Sequence, residues 1–305
     1  MIRFENVTKR YGAARRHGTA ALRDVSLSVP RGGAYSVVGP NGAGKSTLFA
    51  LTLGFLRPTA GTIIVDDAAP RDYVRRHGAG YLPERFGPPA AWRVRDALHA
   101  FARIDGEPAA RADAALERWG LTEHATKELG ELSHGLRQRV GLAQALLAPR
   151  ELVMLDEPHE GLDPLWRVRL REAVLELRAE GRTIVIASHD LAEVERMTEH
   201  AVLLDDGQVR EVLETAAPAT PTRYRIRLAA PSEGFAAAFS LGQVVDGECG
   251  SRDGLTEYDV EVRDADELSA RLAAAIAGGA RVVAVEPHHD PLEARVRRAL
   301  GEETE

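Results

Sequence analysis

A glycine-rich loop early in the chain carries residues suited to binding phosphate groups. The segment Gly39-Pro40-Asn41-Gly42-Ala43-Gly44-Lys45-Ser46 fits the pattern G-x-x-x-x-G-K-[ST] between an apolar strand and a helix. Its glycines allow a tight turn whose N–H groups face phosphate oxygens, and the following helix adds its positive N-terminal end. We expect Lys45 to reach the β- and γ-phosphates, Ser46 to ligate Mg²⁺ and Thr47 to join the phosphate contacts. The pattern predicts a site for a magnesium-bound triphosphate.

Two adjacent carboxylates follow an apolar strand later in the chain. The run 152–155 has strand length and ends at Asp156 and Glu157. A buried strand would deliver Asp156 to the sheet edge where the phosphates bind, and there the carboxylate can hold Mg²⁺ through water. Glu157 is then placed to polarise or deprotonate the water that attacks the γ-phosphate. A strand that ends in acidic residues is common, so the pair alone is weak evidence for a catalytic site. It becomes stronger evidence because it follows a phosphate loop in the same predicted domain.

The elements that must position these residues alternate between short apolar strands and helices. Strand-like runs such as 34–38 and 183–187 are followed or preceded by helical segments such as 45–53. The alternation predicts an α/β domain with a largely parallel sheet over residues 1–214.

The remainder of the chain predicts a second, smaller domain. A small-residue, Pro-rich linker is expected at 215–222. Residues 223–305 restart the pattern as an α+β accessory domain, for which a ferredoxin-like arrangement is one candidate. Two interpretations of this domain stay open: a dimer contact with a regulatory role, or a packing appendage that stabilises the first domain.

A serine at a predicted helix start provides the most specific resemblance. Residues 132–140 read LSHGLRQRV, which resembles the LSGGQ signature of ABC-type ATPases and the Q-R that follows it. Taken alone, Ser133 would serve as a helix N-cap. The resemblance implies that Ser133 and Gly135 contact the γ-phosphate bound by another subunit, so that two sites form when two copies close face to face around two ATP molecules.

Further positions match the same family. The resemblance implies that Asp163, in Glu160-Gly161-Leu162-Asp163, belongs to the D-loop between the two ATP sites. It also implies that His189 is the switch histidine that contacts the γ-phosphate and orients the water, and that Tyr11 stacks on adenine. An isolated tyrosine is more often a packing residue.

The resemblance covers about residues 1–213 and implies the P-loop fold of ABC-type ATPases, with an antiparallel N-terminal subdomain and a helical signature subdomain. It implies a motor subunit of a membrane exporter that hydrolyses ATP with Mg²⁺. The expected partners are a second copy or a homologous ATPase subunit, and a multi-helix permease on a separate chain. The expected location is the cytoplasmic face of the cell membrane, held there through the permease.

Several positions depart from the family pattern. Glu84 stands where the Q-loop usually has Gln, and as a carboxylate it can still approach Mg²⁺ or the attacking water. In the signature, His134 and Leu136 replace Gly and Gln, and Glu160 replaces a small D-loop residue. These changes predict slower hydrolysis or a role as one half of an unequal pair.

Composition limits the alternatives. With 46 acidic and 39 basic residues and a net charge of −7, the chain lacks the basic balance of a protein that holds nucleic acid. Its single cysteine allows no intrachain disulfide, and no apolar run is long enough for a membrane helix or a signal peptide. Two alternatives to an exporter subunit stay open. One is a soluble regulatory or assembly ATPase without a permease. The other is a small-molecule kinase, and the LSHGLRQRV helix counts against the kinase only.

Overall fold

The chain divides into two compact units in a computed structural model, which describes residues 1–12, 19–215, 223–239, 244–246, 251–252, 255–263, 265–287 and 292–301. One unit comprises Met1–Thr215 with Val296–Glu305, and the other comprises Ala216–Arg295. Apart from Thr215, the linker expected at 215–222 lies outside the described residues. The accessory domain was expected to run to residue 305, whereas the chain from Val296 groups with the first unit.

The first unit contains the elements that frame the predicted site. Its strands among the described residues are β1 (Ile2–Arg10), β2 (Ala20–Val29), β3 (Gly33–Val38), β4 (Ala60–Val65), β5 (Gly80–Leu82), β6 (Leu152–Asp156), β7 (Thr183–Ser188), β8 (His200–Asp205) and β9 (Gln208–Glu214). Its helices are α1 (Lys45–Thr52), α2 (Pro70–His77), α3 (Val94–Asp105), α4 (Ala109–Arg118), α5 (His134–Ala145), α6 (Pro164–Ala179) and α7 (Leu191–Met197). The sequence pattern predicts most of them but does not predict β4, α2 or the seven-residue α7. The first half of β4 is exposed and α2 buries only Tyr73, so neither shows clear apolar periodicity.

The central sheet has the order β5-β6-β7-β3-β8-β9, with parallel pairing except between β8 and β9. Its inner strands β6 and β7 are buried along their whole length and mostly apolar, because both faces of the sheet are covered. Val153 and Leu155 pack with α3, α4, α5 and α6 on one face. Leu152 and Met154 pack on the other face with α1, α2 and the antiparallel sheet β2-β1-β4. The predicted α/β fold, with an antiparallel subdomain and a helical subdomain, is confirmed.

The pairing of the central strands determines where the functional loops meet. Strand β7 lies between β3 and β6 and runs parallel to both, with Val38 opposite Ser188 and Asp156 opposite Ala187. The three strands therefore end at the same edge of the sheet. The phosphate loop, the acidic pair and the predicted switch histidine each follow one of these ends, as in other open α/β sheets that bind ligands.

The second unit has a core of its own. Among the described residues, its elements are β10 (Arg223–Leu228), α8 (Glu233–Ala238), β11 (Val244–Asp246), β12 (Ser251–Arg252), β13 (Leu255–Glu261), α9 (Ala265–Ala277) and β14 (Val282–Pro287), followed by α10 (Leu292–Leu300), in which the division at Val296 falls. The sheet is antiparallel with the order β11-β13-β10-β14, and β12 also pairs with β13. Apart from β12, the order of strands and helices through β14 is that of a ferredoxin-like unit. Phe235 and Phe239 are fully buried against its sheet residues.

Candidate active site

The phosphate loop between β3 and α1 requires glycine at two of its turns. Gly39 has φ 150°, and a Cβ placed there would lie 1.9 Å from the carbonyl oxygen of Leu204. Gly44 has φ 109°, and a Cβ there would lie 2.5 Å from the carbonyl oxygen of Ala21. These close backbone approaches hold the loop in its tight conformation, which a side chain at either position would disrupt.

Lys45 lies over this loop at the start of α1. Its Nζ donates hydrogen bonds to the carbonyl oxygens of Gly39, at 2.7 Å, and Pro40, at 3.2 Å, and the residue is buried. The N-cap of α1 is Gly44, which has no side chain to occupy the first N–H groups of the helix. The loop therefore combines a fixed ammonium group with a helix N-terminus, an arrangement that suits an anion.

Asp156 ends β6 with its carboxylate buried beside the loop. Its pKa is raised to about 6, mainly by burial and also by the charges of Glu84 and Glu157, although a hydrogen bond from Ser46 and the charge of Lys45 act in the opposite direction. Three carboxylates thus lie near one another with one ammonium group close by. A serine hydroxyl and carboxylate oxygens are ligands that Mg²⁺ prefers, and a divalent cation would offset this excess of negative charge.

Glu157 is held in an uncommon backbone conformation directly after β6. Its φ is 48°, and its N–H donates to the carbonyl oxygen of Ala187 at 2.9 Å. The side-chain amide of Gln138, from α5, donates to the carbonyl oxygen of Glu157 at 3.0 Å. The Nδ1 of His189 lies 2.8 Å from Oε1 of Glu157, within hydrogen-bond distance. A left-handed conformation costs a non-glycine residue free energy, and these contacts from β7, from α5 and from the loop after β7 hold the residue in place.

A cavity of about 400 Å³ brings most of these residues together. It is lined by Ala21, Asn41, Gly42, Gly44, Lys45, Ser46, Thr47, Glu84, Asp156, Glu157, Glu160 and His189. The structure therefore places the predicted metal ligands Ser46, Glu84 and Asp156, and the predicted catalytic pair Glu157 and His189, around one space. In the described parts of the chain, no three His, Cys, Asp or Glu side chains form a metal site by themselves.

The signature residues lie elsewhere and do not line this cavity. Ser133 is the N-cap of α5, where its Oγ accepts a hydrogen bond from the N–H of Leu136 at 3.3 Å. Gly135 closely approaches Gly161, whose carbonyl oxygen would lie 2.5 Å from an added Cβ. The His134 ring also packs on Gly161, where an added Cβ would lie 2.1 Å from its Cδ2. The unusual histidine is thus accommodated by the D-loop glycine of the same chain.

Asp163 likewise lies away from the cavity, as the N-cap of α6. Its Oδ1 accepts from the N–H of Trp166 at 3.1 Å. The guanidinium of Arg139, from α5, lies 4.3 Å from the Trp166 ring centre, and that ring stacks on Trp119. These contacts join the signature helix to the helix that follows the D-loop.

Tyr11 lies at the edge of the phosphate loop. Its hydroxyl is 3.3 Å from Oγ1 of Thr47, the ring is 43% exposed, and Nζ of Lys9 lies 5.3 Å from its centre. The ring does not line the cavity, so its predicted contact with adenine stays a prediction.

Four residues of this site were not among the site residues predicted from the sequence. Ala21 and Glu160 line the cavity, Gln138 holds the backbone of Glu157, and His159 is buried beside the Glu157 side chain. Glu160 and His159 directly follow the acidic pair in the sequence, and this closeness to Glu157 could have indicated that they lie at the site. Gln138 belongs to the signature helix, and only the packing of that helix reveals its contact.

Comparison with known proteins identifies the family. The family model described as "ABC transporter" matches residues 22–160. The Nod factor export ATP-binding protein I of Burkholderia orbicola is 37% identical over 221 residues, which are 70% of this chain and 70% of that protein. The methionine import ATP-binding protein MetN of Caulobacter vibrioides is 37% identical over 222 residues, 69% of this chain and 66% of that protein.

Solved structures agree with this assignment. The dimeric structure of a bacterial ABC transporter cassette matches with a TM-score of 0.66 and 26% identity, covering 71% of this chain and 99% of that chain. In the parts of this chain that the structure describes, no helix combines the length and apolar character needed to cross a membrane. The chain belongs to the ABC transporter family, as one of its ATP-binding subunits, and is an ATPase.

Proposed function

We propose that this chain is the motor subunit of an ABC exporter, which binds MgATP between two head-to-tail subunits and transmits their closure to a separate permease. The observation that carries the proposal is the pair formed by Glu157 and His189, 2.8 Å apart at the cavity that also holds Lys45. A buried carboxylate beside an imidazole is suited to activating water for attack on the γ-phosphate of a bound nucleotide.

Each side chain at the cavity has a role in this proposal. Lys45 leaves its carbonyl partners to contact the β- and γ-phosphates. Ser46 and Asp156, with Glu84 nearby, would hold Mg²⁺, which when bound would supply positive charge beside the phosphates. Glu157 orients the attacking water and accepts its proton. His189 fixes the Glu157 carboxylate and donates toward the γ-phosphate as charge develops.

The position of the signature supports a dimeric arrangement. Ser133, Gly135 and Asp163 lie outside the cavity of their own chain, as expected if they complete the site of a second subunit. The partner can be an identical copy or a homologous ATPase chain. That the solved cassette similar to this chain is dimeric also supports this arrangement.

The export direction and the permease rest on resemblance. One relative is named for export and another for import, so the names of these two relatives do not decide the direction of transport. We propose the exporter type from the sequence resemblance to ATPase subunits of exporters whose membrane helices sit on a separate chain. The corresponding location is the cytoplasmic face of the cell membrane, reached through the permease.

Glu157→Gln tests the catalytic part of the proposal. The amide cannot accept a proton, so we expect ATP turnover to fall by at least about 100-fold while ATP binding persists. The variant should accumulate as an ATP-bound dimer, measured by light scattering after size exclusion. Glu123→Gln, an exposed carboxylate outside the site, is the matched control. Full turnover in the Glu157→Gln protein would remove Glu157 from its proposed role.

Affinity capture from detergent-solubilised membranes tests the transport part. Recovery of the chain with a multi-helix membrane protein, identified by mass spectrometry, is the expected result. Consistent recovery with soluble partners only would instead support a regulatory or assembly ATPase. Transport by the reconstituted complex into or out of vesicles then establishes the direction.

A further inference from the structure

The buried imidazole of His159 has no role in the mechanism above, although it lies beside the proposed base. The residue is only 3% exposed. Its Nε2 is 3.8 Å from Oε2 of Glu157 and 3.9 Å from Oδ2 of Asp190. The ring of His189 lies 6.1 Å from that of His159 between centroids, and its Nδ1 is 2.8 Å from the other carboxylate oxygen of Glu157, Oε1. The Glu157 carboxylate therefore has an imidazole beside each oxygen.

The two sides of the Glu157 carboxylate differ in their contacts. Oε1 has Nδ1 of His189 at 2.8 Å, whereas Oε2 is buried without a hydrogen-bond partner within the structure. The Nε2 atom of His159 lies 3.8 Å from Oε2, and among the residues that the structure describes its buried Nδ1 has no hydrogen-bond partner. An N–H on Nε2 points toward two carboxylates, so this tautomer is favoured electrostatically.

The same Nε2 atom of His159 also lies near Asp190, a carboxylate that is fixed by two other contacts. Oδ1 of Asp190 accepts from the N–H of Glu193 at the start of α7, and its Oδ2 pairs with Arg167 at 3.1 Å. Burial lowers the pKa of His159, which opposes the effect of the two carboxylates. The ring is therefore a neutral donor near neutral pH and adds no charge beside Glu157.

We propose that His159 is a positioning residue for ATP hydrolysis: its Nε2–H holds Oε2 of Glu157 while His189 contacts Oε1, and this keeps the carboxylate aligned with the attacking water. The inference rests on the proposed role of Glu157. The Nε2–Oε2 separation is slightly longer than a hydrogen bond, so a small rotation of either side chain closes it. Positioning of this kind affects the chemical step more than nucleotide binding.

His159→Leu in the full-length protein removes the N–H donor and replaces the imidazole with an apolar side chain of similar volume. We expect kcat for ATP hydrolysis to fall about 10-fold, with KM for ATP within about twofold of the original value. His159→Gln retains a side-chain N–H and should recover most of the lost kcat. His99→Leu, which changes a histidine of the helical subdomain paired with Asp113, is the matched control and should leave both constants unchanged.

Two comparisons decide the outcome. If the folded His159→Leu protein keeps its original kcat, or if His159→Gln is as slow as His159→Leu, the inference is wrong. Should His159→Leu not fold, as judged by circular dichroism, His159→Ala replaces it and the same criteria apply. Glu157→Gln is measured in parallel: full turnover there would refute the proposed function, whereas its loss together with an unaffected His159→Leu would refute only the role of His159.

Discussion

At the scale of single residues, the site concentrates carboxylates where water is excluded. Burial raises the pKa of Asp156 to about 6 from its ordinary value of 3.8. The folded chain therefore binds a proton on this carboxyl more tightly than the unfolded chain does. The free energy of unfolding decreases as pH rises from about 4, where the unfolded chain loses this proton, to about 6, where the folded chain loses it. Above that range the buried charge lowers the free energy of unfolding by about 3 kcal/mol. The carboxylate that is proposed to bind the metal thus destabilises the folded chain, and a bound cation would stabilise it.

Asp156→Asn should thus stabilise the protein when nucleotide and metal are absent. We expect its free energy of unfolding to exceed that of the original chain by about 2 kcal/mol near pH 8, and by less near pH 5. Urea denaturation in the presence of a chelator measures both values, with Glu123→Gln as the control at an exposed position. ATP turnover should fall in the same variant because a proposed magnesium ligand is lost. A difference in stability that does not vary with pH would contradict the assigned cause.

At the scale of elements, the phosphate loop depends on backbone contacts that glycine alone permits. Gly44 combines φ 109° with a close approach to the carbonyl oxygen of Ala21 on β2. Gly181, after α6, has φ 79° but open space where a Cβ would lie. A side chain at either position would adopt an unfavourable left-handed conformation, but only a side chain at position 44 would also clash with its neighbours. Comparing the two substitutions therefore separates these two contributions to the free energy of unfolding.

Gly44→Ala should lower the free energy of unfolding by about 3 kcal/mol, whereas Gly181→Ala should lower it by about 1 kcal/mol. Only the first change displaces the loop, so only Gly44→Ala should weaken ATP binding. Thermal or urea unfolding gives the stabilities, and isothermal titration calorimetry with ATP gives the affinities. Equal affinity in both variants would show that the loop tolerates the displacement.

At the scale of the whole molecule, the residues of the cavity all belong to the first unit. The second unit has separate core residues, including Tyr224 and Phe235. The boundary is well defined at Thr215, which is buried and donates its backbone N–H to the carbonyl oxygen of Glu199 at 2.8 Å. Nucleotide binding and the role of the accessory part can therefore be studied separately.

Truncation after Thr215 should leave ATP binding within about threefold of the full-length value, since every cavity residue is retained. The truncated chain also loses Val296–Glu305, so circular dichroism must first establish that it folds. Light scattering with ATP then distinguishes the two roles of the accessory domain: altered dimerisation indicates a dimer contact, and unchanged dimerisation indicates a packing appendage. A folded truncation that no longer binds ATP would contradict the division of function.

The sequence by itself determined the α/β architecture and most of the residues that surround the cavity. Lys45 and Ser46 follow one strand end, Asp156 and Glu157 another, and His189 a third. Adjacent parallel strands bring their carboxyl ends together, so local spacing was sufficient to predict this grouping.

Only the tertiary structure decided how these side chains are buried and held. The contact of Gln138 with Glu157, the packing of His134 on Gly161 and the position of His159 depend on how α5 and the D-loop lie against the end of β6. The raised pKa of Asp156 depends on water being excluded by the same packing. Such properties arise from distances between segments far apart in the chain, and neither residue type nor periodicity encodes those distances.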